Sequence, residues 1–163
     1  MRKYTKDFNR EEFLHSEAAI INGLSNEPGE LAEQNLQRLT INLLQPLRDL
    51  VGAPIAITSG YRSEEINKLV GGVPNSQHCL GEAADCYVVQ GPEYLLSVLV
   101  KSGLAYDQAI VYKRKRFLHL SYRHDRNRMM VRRKWGFCLS SARITLKKGL
   151  HPNFHLEAAP SWL

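Results

Sequence analysis

Between Thr58 and Asp85 the chain reads TSGYRSEEINKLVGGVPNSQHCLGEAAD. Within it, Ser76-Gln77-His78-Cys79-Leu80-Gly81-Glu82-Ala83-Ala84-Asp85 sets an imidazole and a carboxylate apart with six residues between them. Neutral imidazole nitrogen and carboxylate oxygen are both ordinary zinc ligands. Two ligands make half a site, because a catalytic zinc takes three protein ligands and keeps its fourth position for water or substrate. His119 is the best third ligand. It sits in Phe117-Leu118-His119-Leu120-Ser121-Tyr122, where strand alternation sends it to one face with Phe117 and Ser121. One zinc held in this way would lower the pKa of its bound water and polarise an amide carbonyl, which is the chemistry of a metallopeptidase.

These residues need elements to hold them. Ile55 to Thr58, after Gly52-Ala53-Pro54, reads as a short strand that delivers Ser59-Gly60-Tyr61-Arg62 to a strand end, where functional groups gather on a rigid scaffold. Ser63 caps a helix running to Val70, with Glu64 and Glu65 in its first turn and Gly71-Gly72 after it. Gly81 and Ala83-Ala84 suit a close approach of the backbone to the site before a strand from Asp85 to Val89. Glu93 to Leu104 reads as a helix ended by Gly103. Asp107 to Tyr112 and Phe117 to Tyr122 read as a hairpin with Lys113-Arg114-Lys115-Arg116 at its turn, close to the metal.

Upstream, Asn9 to Ile21 predicts one short packing helix and Asn22 to Pro28 a loop. Leu31, Leu36, Leu39, Leu43, Leu44, Leu47 and Leu50 predict a long amphipathic helix from Gly29 to Val51, with Pro46 kinking or splitting it. The fold class that follows is α+β, with helices packed on a small antiparallel sheet that carries the zinc ligands.

Ser59-Gly60-Tyr61-Arg62 together with S-x-H-x-x-G-x-A-x-D, then a strand with a lone His before Ser, resembles the zinc D-Ala-D-Ala carboxypeptidase family. That family includes L-alanyl-D-glutamate endopeptidases of phage lysins and shares its fold with the hedgehog signalling domain. The resemblance runs from about Phe8 to Tyr122. It implies that His78, Asp85 and His119 ligate one zinc ion and that Arg62 faces a substrate carbonyl or carboxylate, with Ser76 and Gln77 on the substrate side. The implied activity is hydrolysis of peptidoglycan stem peptides, as a carboxypeptidase or an endopeptidase.

The sequence departs from that pattern at the proton shuttle. Relatives carry a carboxylate three or six residues before the last His, and some carry a second His two residues before it. Here those positions are Arg116, Lys113 and Phe117, and an arginine cannot give up its proton at all. Glu82 and Asp107 are the substitutes, ahead of His124 and Asp125, which follow the strand of His119. Without a base the same pocket would be a zinc-containing module that binds cell-wall peptides.

A chain of 163 residues suits a single domain, with residues 123–163 as its basic C-terminal extension. The 44% hydrophobic and 23% charged fractions are those of a globular protein, and no apolar run approaches the roughly 20 residues that span a bilayer. Met1-Arg2-Lys3-Tyr4-Thr5-Lys6-Asp7-Phe8 has basic residues but no apolar stretch behind them. The expectation is therefore a protein cytoplasmic as made and released to the wall by another route, such as phage-type lysis. Cys79, Cys86 and Cys138 are odd in number and lack C-x-x-C spacing, so they read as reduced apolar residues.

A net charge of +6 fits an anionic partner without naming one: nucleic acid is the usual reading, and cell-wall polymer and anionic lipid surfaces fit equally well. Arg123 to Lys134 is rich in arginine but lacks the aromatic platform of a single-strand groove, which disfavours nucleic acid. Met129-Met130-Val131 inside it reads as a buried strand edge. Beyond Trp135 no catalytic motif occurs: His151 and His155 flank Pro152, which opposes a helical H-x-x-x-H site, and Trp162 near the end reads as a docking side chain.

Overall fold

The computed structural model describes residues 2–134, so Cys138, His151, His155 and Trp162 lie outside the described residues. The helices are α1 (Arg10–Leu14), α2 (Glu17–Asn22), α3 (Glu30–Leu39), α4 (Gln45–Val51), α5 (Glu64–Leu69) and α6 (Pro92–Ser102). The strands are β1 (Ala56–Ser59), β2 (Ala83–Tyr87), β3 (Gln108–Tyr112), β4 (Phe117–Ser121) and β5 (Met130–Lys134). The class is α+β, as the sequence pattern requires.

The five strands form one sheet in the order β1-β2-β4-β3-β5. The pairings β1–β2, β2–β4 and β3–β4 are antiparallel, but β5 runs parallel to β3. The strands that bear Asp85 and His119 pair antiparallel, as expected, and the sheet becomes mixed only through β5 at its edge. The cause lies just ahead of β5: Arg128 grips Asp107 at the foot of β3, and the Met129 and Met130 amides donate to the Tyr106 and Asp107 carbonyls. The chain is thereby pinned to the start of β3 and can pair only by running the same way. At the edge Met129 is 51% and Val131 37% exposed, so this segment is not the buried one expected.

One face of the sheet is the core face. Ala84, Cys86, Ala109, Val111, Leu118 and Leu120 point from it into a cluster with Phe8, Phe13, Leu36, Leu39, Leu47, Leu95 and Leu99. Burying whole leucine side chains contributes about 1.5–3 kcal/mol each, which is why the leucine stripe fixes how the helices lie on the sheet. The opposite face, bearing Asp85 and His119, is left for chemistry.

Two helical details depart from the sequence pattern. The N-terminal helix is two pieces: His15 and Ser16 are extended, and the Ser16 side chain accepts from the Ala19 amide to start α2 afresh. The long helix is continuous through Pro46, because Thr40–Leu44 forms a π-helical turn in which the Gln45 amide reaches back to the Thr40 carbonyl. That widened turn, with Pro46 in the first turn of α4, accommodates a residue that cannot donate. Strand β2 also begins two residues earlier than the pattern suggested.

Candidate metal centre

Strands β2 and β4 pair so that Asp85 stands directly opposite His119. Same-face alternation does the rest, placing both side chains on the side away from the core. His119 Nδ1 lies 2.9 Å from Asp85 Oδ1.

His78 comes from outside the sheet, on a 3-10 turn over Gln77–Leu80. Ser76 starts that turn by accepting from the His78 amide, and Gly81 ends it with φ of 70°. A side chain on Gly81 would also strike the Ala32 carbonyl of α3, so glycine is required there twice over. The turn is tied to the loop after β1: the Arg62 amide donates to the His78 carbonyl, and His78 Nδ1 lies 2.6 Å from the Gly60 carbonyl oxygen. A carbonyl only accepts, so Nδ1 carries the proton and His78 Nε2 is left with a free lone pair.

That lone pair faces the other two donors, 3.2 Å from His119 Nδ1 and 3.4 Å from Asp85 Oδ1. Zinc bonds of roughly 2.0–2.2 Å arranged tetrahedrally separate ligand atoms by about 3.3–3.6 Å. The triangle of donors is close to that size, and the three residues form a group that could hold a metal ion. Protonation agrees with this. Burial pushes the His78 imidazole below its ordinary pKa, Asp85 opposes that, and His119 and Arg62 reinforce it. Burial alone would raise the Asp85 carboxyl, but the facing imidazoles of His78 and His119 outweigh it and hold the group below the usual carboxylate range. Neutral imidazole and ionised carboxylate are the forms a metal takes.

The remaining predicted residues surround this triangle in two groups. Arg62 is half-buried beside the His78 turn, and its Nε is buried with no hydrogen-bond partner among the described residues. Gln77, Glu82 and Asp107 form a network with two residues the sequence reading did not include. Gln77 donates to Asp107 Oδ2 at 2.9 Å and to Glu82 Oε2 at 3.3 Å, and accepts from Gln108 at 2.7 Å. Arg128 grips both oxygens of Asp107, at 2.6 and 2.8 Å. Gln108, opposite Ser121, stands two residues along from Ile110, opposite His119, so the network adjoins the triangle on the same face.

The two carboxyls differ. Burial pushes the Glu82 carboxyl up, against the pull of Gln77 and Arg123. Burial acts the same way on Asp107, but the Arg128 and Gln77 hydrogen bonds overcome it and bring its pKa to about 2. Arg128 had no local signal in the sequence, since it lies 21 residues from Asp107 and they meet only through the parallel edge. Of the positions where relatives carry a base, Arg116 donates to the Val89 carbonyl, and Phe117 stacks on Tyr112 with ring centroids 4.6 Å apart. His124 and Asp125 are exposed beyond the end of β4.

Among the described residues no helix is long and apolar enough to cross a membrane. Cys79 and Cys86 form no disulfide among the described residues. Residues 6–121 match the model of a family described as Peptidase M15, which covers more than half of the chain and ends before β5. No curated protein matches the chain.

Proposed function

Because the chain belongs to the peptidase M15 family, we propose that it is a zinc-dependent peptidase that cleaves peptidoglycan stem peptides, with His78, Asp85 and His119 as the ligands of one zinc ion. The observation that carries this reading is the triangle of donor atoms, 2.9, 3.2 and 3.4 Å on its sides, with its histidine tautomer set by Gly60. Zinc in such a site supplies Lewis acidity and an activated water.

The chain supplies the rest. Arg62 binds the carbonyl or carboxylate of the substrate, and its Nε has no hydrogen-bond partner among the described residues. Ser76 and Gln77 line the approach while holding the His78 turn in place. Glu82, whose burial favours its protonated form more than an exposed carboxylate's, takes and returns the proton; Asp107 is too firmly ionised for that and positions Gln77. Peptide substrates follow from the family, and stem peptides, which carry free carboxylates, suit the cationic surroundings of the site.

A second reading is a zinc-containing module that binds cell-wall peptides without cleaving them. It is favoured by Lys113, Arg116 and Phe117 at the positions where relatives carry their base. Zinc content and release of peptides or amino acids from purified peptidoglycan, measured for the parent and His78→Ala, separate the two. Stoichiometric zinc with turnover, both lost in the variant, establishes the peptidase. Zinc without turnover leaves the binding module, and absence of zinc overturns both.

A further inference from the structure

Asp85, His119, Ile110 and Arg132 form one cross-strand row, through the pairs Asp85↔His119, Ile110↔His119 and Ile110↔Arg132 on β2, β4, β3 and β5. Residues level with one another in a sheet share a face, so Arg132 projects on the side of the metal triangle. Its neighbours confirm the alternation. Arg133 turns to the helical side and meets Glu93 of α6, whereas Lys134 lies over the Tyr112 ring, 5.2 Å from its centroid.

Arg132 differs from the cations around it. Arg128 is held by Asp107, Arg123 lies near Glu82 and Asp125, Arg133 is paired with Glu93, and Lys134 sits on Tyr112. Arg132 has no hydrogen-bond or ion-pair partner among the described residues, and it is exposed. Between it and His119 stands Ile110, only 8% exposed although it is not part of the main core cluster. Two strand spacings put the backbones of His119 and Arg132 about 10 Å apart. An arginine stem laid along an apolar floor of that kind carries its guanidinium toward the metal while keeping the charge in water.

We infer that Arg132 is a specificity-determining residue that binds a second carboxylate of the substrate, across the metal triangle from Arg62. The inference rests on the peptidase reading for the identity of the ligand as a peptide, and it narrows that ligand to an acidic one. Guanidinium and carboxylate match as two parallel hydrogen bonds, which an amide in place of the carboxylate forfeits. Because β5 lies beyond the stretch shared with the family, this contact belongs to this chain's own edge strand.

The test uses two dye-labelled pentapeptides on the full chain: L-alanyl-γ-D-glutamyl-L-lysyl-D-alanyl-D-alanine, and its counterpart whose glutamyl α-carboxylate is an amide. Stopped-flow fluorescence reads the Kd of each before turnover accumulates, and kcat/KM is read in parallel. Arg132→Gln is expected to weaken binding of the acidic peptide about tenfold and to leave the amidated one unchanged. Arg132→Lys is expected to recover part of the loss, with thermal unfolding unaltered in both variants. Equal losses on the two peptides, no loss on either, or no binding of either by the parent overturns the inference. Discrimination in Kd without hydrolysis would sustain Arg132 as the acidic contact while removing the peptidase reading; hydrolysis without discrimination would do the reverse.

Discussion

The carbonyl oxygen of Gly60 lies 2.6 Å from Nδ1 of His78, and the backbone that presents it is pressed against α1. A Cβ at position 60 would come within 2.5 Å of the Phe13 carbonyl oxygen. Gly60 therefore acts on the candidate metal centre through His78, by fixing which nitrogen of that ring is bare.

Gly60→Ala should accordingly damage two properties at once. The clash is with backbone, which cannot swing aside, so a loss of about 1–3 kcal/mol of stability is expected. Loss of the carbonyl's aim should weaken zinc roughly 10- to 100-fold, the usual effect of removing a partner that orients a ligand. Thermal unfolding and competition with a chromophoric chelator measure the two separately. An unchanged zinc affinity would show that His78 is oriented by something else.

Zinc should stabilise the folded chain through its three donors. At free zinc near one hundred times Kd the gain is about 2.7 kcal/mol, visible as a rise in Tm that EDTA reverses. His119→Ala should abolish that rise. A rise that persists in the variant would place the ion elsewhere.

The two candidate proton carriers should part under substitution. Glu82→Gln is expected to lower kcat about 100-fold or more while zinc content is kept, as loss of a general base does. Asp107→Asn should lower kcat by less than about tenfold, since its role is to hold Gln77 through a hydrogen bond that an amide partly preserves. The reverse order in single-turnover kinetics would assign the proton to Asp107.

Asp107→Asn should instead be felt in stability, with a definite pH dependence. The Asp107 carboxyl is held at about 2 against an ordinary 3.8, so the unfolded chain binds its proton more tightly than the folded one. Its contribution is complete above the ordinary value and is lost as pH falls from there toward 2. The parent should exceed the variant by about 1–2 kcal/mol at neutral pH, a figure kept small because Arg128 is partly open to water. Urea unfolding at a series of pH values should show that margin constant above about pH 5 and shrinking below about pH 4.

Legibility in the sequence followed the range of the interactions. His78, Asp85 and His119 could be brought together on paper because a ten-residue motif and a strand alternation are both local patterns, and the structure assembles all three. Gly103 and Ser63 marked helix ends correctly for the same reason. Ser16, which divides the first helix, was readable in principle, since it is a good N-cap placed inside a helical pattern. The parallel course of β5 was not readable. It depends on Arg128 meeting Asp107, a pairing among many arginines that no periodicity singles out, and on an exposed edge whose residues lack a hydrophobic alternation.

His78 and His119 are separated by 41 residues, and β2 and β4 become neighbours only when the helix between them, α6, has folded back. The donors do not exist as a set in the unfolded chain, so an ion that joins them works as a clasp on a long loop. Because such an ion would bind only the assembled set, its stabilisation is that of a ligand of the folded chain and grows with free zinc rather than with loop length. Order of events follows from this: sheet first, metal second. A chain synthesised in zinc-poor surroundings should therefore pair its strands before it loads the ion.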